Sequence, residues 1–488
     1  MPGSLLVLAL SGVSTTPTVT FASTQPLGQP DYYGVSLSHG DVNGDGYVDV
    51  LIGASQADGA TPGDWAGAVY IFHGSASGFA ASPDTTLTGV GPGDQLGLSA
   101  AVVGDVDGDG YDDVAVGAYT ADQRGRVSLH LGSPSGINPM PAAQFTGENT
   151  GDVLFPVFPA GDVDGDGYAD FLLEEVGYAS GAGRVRLYLG SADGPPATPS
   201  QTFTGEGPGD LLGSCVPGDF DMNGDGFDDV VIGRSPWNGY VGQALVFQGS
   251  ATGLSATPVA TLSGDGVALA FGGAAASAGD VDGDGYDDVL VGAIGDAELR
   301  GHVYLYPGSA TGLSTTPAAT LVGGAANALL GLAMAGAGDV NHDGYGDVIL
   351  GATGPEAEKT GHAFVFLGTS AGLSQTPGTV LDGRAADDFF GSNVTGAGDL
   401  DGDGNDDVLV SSPGAATVTA YGGYGPGGED TGADSGGDTG ADSGQDTSAD
   451  TAGRLPNDTQ PGCGCVTTTS TGTGMIGLGL LVLALRRR

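Results

Sequence analysis

The sequence predicts an all-β fold, a seven-bladed β-propeller of four-stranded blades whose ring closes by pairing N- and C-terminal strands. Three observations carry this prediction. An acidic motif, written "GDVDGDGYDDV" from Gly104, recurs seven times, with first acidic positions at Asp41, Asp105, Asp162, Asp221, Asp280, Asp339 and Asp399. The spacing is about 60 residues, the period of a repeat architecture built from one supersecondary unit per copy. Around each motif the apolar residues fall in short runs such as "DVAVGA", "RVSLHL" and "HVYLYP", bounded by Gly, Ser and Pro, with no window of helical period. Finally, the last repeat starts at Phe390 and stops after "ATVTAYGG", while the missing segment stands at the other end: "GVSTTPTVTF" from Gly12 matches "GLSTTPAATL" from Gly312.

Each repeat unit reads in order as four strands. An aromatic or Leu followed by Gly opens the first strand, the acidic loop follows about nine residues later, and a run such as "DVLVGA" forms the second strand. A variable loop leads to a third strand, "GHVYLYPGS", and then "GLSTTP" and "ATLVG" supply a turn and the fourth. Radial repetition of such sheets protects their edges and lets one domain exceed the usual size; a β-helix would have shorter rungs and fewer strands per repeat. The third repeat departs most: Leu154-Phe155 opens it, Pro156 and Pro159 follow, and "FLLEEVGYA" replaces the usual second strand, which predicts an irregular inner strand there.

In "DVDGDGYDD" the first, third, fifth and ninth residues offer side-chain oxygens, the sixth is Gly, and the seventh offers its backbone carbonyl. Alternate side chains of a tight loop converge on one point, and glycine permits the turn, so the pattern suits a hard cation held by oxygen. Calcium is preferred to magnesium for an adaptable many-oxygen site, and zinc would want His or Cys. The predicted ligands are Asp41, Asn43, Asp45, Tyr47 and Asp49; Asp105, Asp107, Asp109, Tyr111 and Asp113; Asp162, Asp164, Asp166, Tyr168 and Asp170; Asp221, Asn223, Asp225, Phe227 and Asp229; Asp280, Asp282, Asp284, Tyr286 and Asp288; Asp339, Asn341, Asp343, Tyr345 and Asp347; and Asp399, Asp401, Asp403, Asn405 and Asp407. Two registers compete in "GDFDMNGDGFDD"; counting nine residues from Leu212, as the second, fifth, sixth and seventh repeats count from Leu96, Phe271, Leu330 and Phe390, selects Asp221. Up to seven Ca²⁺ ions are expected, with affinities of ~10⁻⁴ to 10⁻³ M that fill only where calcium is plentiful. That points outside the cytoplasm.

The run "FGGAAASAGDVDGDGYDDVLVGA", from Phe271, resembles the FG-GAP repeat of the integrin alpha-chain N-terminal propeller, and the similarity covers about residues 12 to 424 in seven copies. The resemblance implies calcium loops that join the first and second strands and face one side, with partners bound on the opposite face by a ligand-binding or adhesive propeller. The variable loop after the second strand is expected on that opposite face. Both tryptophans of the chain lie in such loops, Trp65 and Trp237, with Tyr240 beside the latter, and exposed aromatics there would anchor a protein or glycan ligand. The bland alternative is that these rings pack their own loops, in a passive structural surface protein with no specific partner.

Composition narrows the function further. With 59 acidic against 12 basic side chains, nucleic acid and anionic membranes are excluded as partners of the body. The six histidines are scattered over separate repeats, and no nucleophile elbow, phosphate loop or zinc spacing appears, so hydrolysis is the least favoured reading and no catalytic residue is assigned. Three cysteines cannot make a disulfide framework.

The ends read differently from the body. Residues 1–11, "MPGSLLVLALS", have the apolar core of a short signal peptide without a preceding basic residue. Residues 425–462 form an acidic Gly/Ser/Thr/Asp-rich spacer with no apolar face to bury. Residues 463–488 combine Cys463 and Cys465, an apolar stretch and Arg486–Arg488, and resemble the C-terminal surface-sorting tails of myxobacteria and related bacteria. The expectation is an exported protein held at the cell surface or outer membrane through its C-terminus, touching the membrane by that tail only.

Overall fold

The second strand of each blade is apolar on both sides because both sides are covered. Val50, Leu51 and Ile52 are all fully buried, as are Val289, Leu290 and Val291, since one side of the strand packs on the preceding blade and the other on the following one. The fourth strand shows the opposite extreme. Its third residue is buried in every blade, as Phe21, Leu87, Phe145, Phe203, Leu262, Leu321 and Leu381, and its other residues are not, except Thr379 in blade six. This gradient from a covered inner strand to a wetted outer one is what radial packing imposes on a four-stranded sheet.

A computed structural model describes residues 12–23, 31–59, 61–235, 241–264, 266, 270–293, 295–296, 298–354 and 360–425. It is a seven-bladed β-propeller of antiparallel sheets, with two short helical turns as the other regular elements among the described residues. Blade one comprises Tyr33–Gly40, Asp49–Ala54, Ala68–Phe72 and Thr85–Thr88 from the axis outward. Blade two comprises Leu96–Gly104, Asp113–Ala118, Arg126–His130 and Ala143–Thr146, and blade three Leu154–Gly161, Asp170–Glu175, Arg184–Tyr188 and Gln201–Thr204. Blade four has Val230–Arg234, Gln243–Phe247 and Ala260–Ser263 outside an irregular inner segment. Blade five comprises Ala274–Gly279, Asp288–Ala293, His302–Tyr306 and Ala319–Val322, and blade six Met334–Gly338, Asp347–Ala352, His362–Phe366 and Thr379–Asp382.

Blade seven is assembled from both ends of the described chain. Val394–Gly396, Val408–Ser412 and Thr417–Tyr421 are completed by Val19–Ala22, in the register Val19↔Ala420 to Ala22↔Thr417. Gly12–Val13 pairs Gly423–Tyr424, and the Asn393 side chain donates to the Val35 carbonyl of blade one, so closure is hydrogen-bonded at both the rim and the axis. The core is accordingly divided into wedges between neighbouring blades. The wedge at the seam joins Leu409, Val418 and Ala420 to Val50, Ile52 and Tyr70.

The expected irregularity in blade three lies instead in blade four. Leu154–Gly161 is a full inner strand despite Pro156 and Pro159, because it is the edge of its sheet and bulges at two points of its register. In blade four, 212–220 runs along the second strand through hydrogen bonds such as Gly233 N–H to Cys215 O and Val231 N–H to Pro217 O, without regular pairing. Its cause is the same "FLLEEVGYA" run. Five other blades have Gly where Glu174 stands (Gly53, Gly117, Gly233, Gly292 and Gly351), and there a carbonyl of the next inner strand lies 2.1–2.8 Å from where a Cβ would be. Glu174 has a side chain in that space, and it meets Gly213 at the start of blade four's inner segment.

Candidate metal centres

Each acidic loop connects the first strand of a blade to the second, so all seven lie at one end of the ring. Their backbone is shaped by the first carboxylate. Asp105 Oδ1 accepts from the N–H groups of Gly108 (2.7 Å) and Asp109 (3.0 Å), and Oδ2 from Gly110 (2.8 Å). The same three-donor arrangement recurs around Asp41, Asp162, Asp221, Asp280 and Asp399. Asp221, not Asp219, therefore occupies the first position in the fourth loop. The chain can wrap so tightly because the fourth and sixth residues adopt left-handed φ, +73° at Gly108 and +93° at Gly110, a region that costs glycine nothing. In the sixth loop the fourth residue is His342, at φ +55°.

The ninth carboxylate closes the loop from below. Asp113 is buried and accepts from Val106 N–H (3.0 Å) and from Gly132 N–H (2.8 Å), a glycine between the third and fourth strands. Asp49, Asp170, Asp229, Asp288, Asp347 and Asp407 make the equivalent pair of bonds. Carboxylate oxygens consequently converge. Within 4.8 Å of one another lie those of Asp105, Asp107 and Asp113; of Asp162, Asp164 and Asp170; of Asp280, Asp282 and Asp284; and of Asp399, Asp401 and Asp407. These are the four loops with Asp at the third position; in the other three, Asn43, Asn223 and Asn341 stand there.

Two observations test whether these residues fit a cation. Asp164 Oδ1 and Asp282 Oδ1, both third-position oxygens, are buried without any hydrogen-bond donor, which is costly for a carboxylate unless something positive faces it. Arginine countercharge is also missing among the described residues. Every arginine among the described residues (Arg124, Arg126, Arg184, Arg186, Arg234, Arg300 and Arg384) lies in or within two residues of the connections at the opposite end of the blades. The residues fit hard-cation coordination.

Burial pushes the ninth carboxyls up, to about 7 for Asp49, Asp229 and Asp288 and about 8 for Asp113, Asp170, Asp347 and Asp407. Their two N–H bonds oppose this, and the neighbouring loop carboxylates add to it. The folded pKa thus lies above the ordinary value of about 4, so the metal-free fold binds protons that the unfolded chain releases. The resulting destabilisation is absent below about pH 4 and complete above about pH 8. Metal-free protein prepared by dialysis should therefore melt at a higher temperature at pH 5.5 than at pH 8. The reverse order would show that these carboxylates are already balanced within the protein.

Sequence reasoning missed two further positions. In four loops the eighth residue is also Asp, and its carboxylate accepts the backbone N–H of the preceding loop's first residue: Asp112 from Asp41 (2.8 Å), Asp228 from Asp162 (2.6 Å), Asp287 from Asp221 (3.0 Å) and Asp406 from Asp339 (2.7 Å). At five junctions the seventh side chain lies over the fourth residue of the preceding loop, while at the seam nothing stands over Gly402. Tyr111 is 2.6 Å from where a Cβ of Gly44 would stand, and Tyr168, Phe227, Tyr286 and Tyr345 cover Gly108, Gly165, Gly224 and Gly283 alike. The doubled "DD" and the aromatic were visible in the repeats. The one seventh residue that is not aromatic, Asn405, follows the one loop whose fourth residue is not glycine, His342.

The variable loops lie at the other end. Trp65 is 50% exposed there, on left-handed backbone, and Val90, in the connection from the fourth strand of the same blade, is 88% exposed; Gly89 and Gln95, which flank that connection, donate to the carbonyls of Gly67 and Trp65. Trp237, Tyr240, Cys463 and Cys465 lie outside the described residues.

Comparison with known proteins agrees with this geometry. The family model "FG-GAP repeat" matches residues 33–72 and 97–130, and "FG-GAP-like repeat" matches 221–291 and 280–350, so these segments are similar to FG-GAP repeats. Integrin alpha-V of Gallus gallus is 33% identical over 235 residues, which is 46% of this chain and 22% of the relative. Integrin alpha-IIb of Mus musculus is 38% identical over 177 residues, 34% of this chain and 17% of the relative; integrin alpha-5 of Xenopus laevis is 32% identical over 212 residues, 41% and 20%. The matched part spans about a fifth of the length of these relatives.

Proposed function

We propose that this chain, an integrin alpha-like FG-GAP propeller, is a calcium-stabilised adhesin or ligand-binding module of the cell surface that engages a protein or glycan through the face carrying Trp65. The observation that carries this reading is the division of the ring into two chemically different ends. One end concentrates convergent carboxylates in loops without arginine, which suits structural cations. The other carries longer, variable connections, all the described arginines, and two exposed large apolar side chains, Trp65 and Val90. An exposed indole is an ordinary anchor for a macromolecular ligand and is otherwise unfavourable on a surface with no partner.

Up to seven Ca²⁺ ions would be held by the first, third, fifth and ninth side chains and the seventh carbonyl of each loop. When bound, calcium neutralises carboxylates that otherwise repel one another. The chain's own residues shape the loop around the ion and hold the strand ends in place.

The domain plan follows: a propeller over 12–424, an acidic spacer over 425–462 and an anchoring or sorting segment over 463–488, with 1–11 as an export signal. The described chain ends at Gly425, which lies beside Asn341 and Asn405 of the sixth and seventh acidic loops. A tether leaving there would set the acidic end toward the cell and the Trp65 end outward, the orientation an adhesin needs.

Beads coated with the full chain should attach to cells and to a glycan array in millimolar calcium and detach in chelator. Trp65→Ala should reduce attachment about tenfold while leaving the melting temperature unchanged within a degree or so. Attachment unaffected by the substitution would remove Trp65 from the binding face. No attachment to either surface would favour the passive structural protein.

A further inference from the structure

The eighth-position aspartates do not point into their own loops. Asp112 belongs to the second loop, one residue before the buried Asp113, yet its carboxylate holds the N–H of Asp41 in the first. Asp112 N–H in turn donates to Asp41 O (3.1 Å), and Tyr111 covers Gly44. The backbone of one loop's first residue is thus clamped from both its N–H and its carbonyl by the next loop. The same double clamp joins the third loop to the fourth through Asp228, the fourth to the fifth through Asp287, and the sixth to the seventh through Asp406.

Two junctions keep half of it. Between the second and third loops Ala169 N–H donates to Asp105 O (2.9 Å), and between the fifth and sixth Gly346 N–H donates to Asp280 O (2.8 Å), but Ala169 and Gly346 have no carboxylate to receive the first residue's N–H. At the seam the eighth residue is Val48, which approaches Gly398 with a methyl group. The glycine before a loop is part of the device. A Cβ on Gly40, Gly161 or Gly338 would stand 2.6, 2.0 or 2.1 Å from Oδ2 of Asp112, Asp228 or Asp406.

We propose that Asp112, Asp228, Asp287 and Asp406 are positioning residues that couple metal occupancy between adjacent loops, so that the loops fill in three linked groups, one-two, three-four-five and six-seven. This rests on the metal reading above. Filling a loop fixes its ninth ligand and with it the eighth residue, which sets the first ligand of the neighbour in its binding position; by linkage the neighbour returns the same effect. The hydrogen bond, not the charge, carries the coupling, because the eighth carboxylate spends its oxygen on a backbone N–H.

Calcium titration of the full chain by calorimetry tests this through the shape of the isotherm. The wild-type protein should give a Hill slope above about 1.5, and the combined Asp112→Ala, Asp228→Ala, Asp287→Ala and Asp406→Ala variant a slope near one, with its midpoint raised about 3- to 10-fold. The corresponding four Asp→Asn changes, which keep an acceptor oxygen, should restore the wild-type slope. Ala169→Asp, which supplies the missing carboxylate at the second junction, should steepen the wild-type curve, and it decides the matter should the four-alanine chain not fold. Curves of equal slope in wild type and variants, with calcium bound in all, would overturn the coupling and leave the metal sites standing. Absence of any calcium heat would overturn both.

Discussion

Removing calcium from the full chain should lower its melting temperature by about 10–20 °C, and magnesium at the same concentration should restore less than half of that loss. The size follows from linkage. For sites of ~10⁻⁴ to 10⁻³ M, 5 mM calcium contributes roughly 1.1–2.3 kcal/mol per site, and seven filled loops amount to roughly 7–16 kcal/mol. A domain of this size loses about 0.8 kcal/mol of stability per degree near its midpoint, which sets the temperature shift. The preference for calcium follows from the site. Asp105 already satisfies three backbone N–H groups and Asp113 two, so the loop can present many oxygens but cannot contract to a small octahedron without breaking those bonds. Differential scanning fluorimetry in calcium, chelator and magnesium measures all three states. A midpoint unmoved by chelator would make the loops empty turns, and the calcium-dependent location and function would fall with them.

What the sequence made legible, and what it hid, divides along the repeat boundary. Much within one repeat was readable: the order of the strands, the loop between the first two, and the convergence of its carboxylates, because each depends on residues a few positions apart. The contacts that join blades connect Asp112 to Asp41 and Asp228 to Asp162, 71 and 66 residues away, and no pattern inside a single repeat displays them. They become visible only when repeats are read against their neighbours, as with His342 and Asn405. The misplaced irregularity has the same origin. Glu174 belongs to blade three by sequence, but its side chain occupies space that blade four needs, so the disturbance surfaced one blade later than the prolines suggested. Closure was readable from the N-terminal match to "GLSTTPAATL"; the Asn393 bond across the seam was not, since it joins residues 358 positions apart.

The second residue of that glutamate pair predicts the other large effect. Glu175 is fully buried and forms ion pairs with Arg184 and Arg186, at 2.7 Å for the latter, while Glu148 at the surface engages the same two guanidiniums at 3.3 and 2.9 Å. Arg184 also stacks on Tyr178, 3.9 Å from the ring centre. Burial pushes the Glu175 carboxyl up, and the two arginines pull it back. A buried charge with two partners is costly to form and costlier to break. Glu175→Ala should lose about 3–5 kcal/mol, because two largely buried guanidiniums keep only the half-exposed Glu148, and at about 0.8 kcal/mol per degree the midpoint should fall by about 4–6 °C. Replacing the whole cluster, with Arg184→Met and Arg186→Met added to Glu175→Leu, should recover most of that loss, since no ion is left desolvated. Urea unfolding in calcium and in chelator separates this effect from the metal loops at the opposite end of the blades: the penalty should be the same in both, as expected for sites that share no partner. A penalty present only in calcium would mean instead that the Glu175 cluster and the acidic loops are linked through the second strand of blade three, with Asp170 at one end and Glu175 at the other.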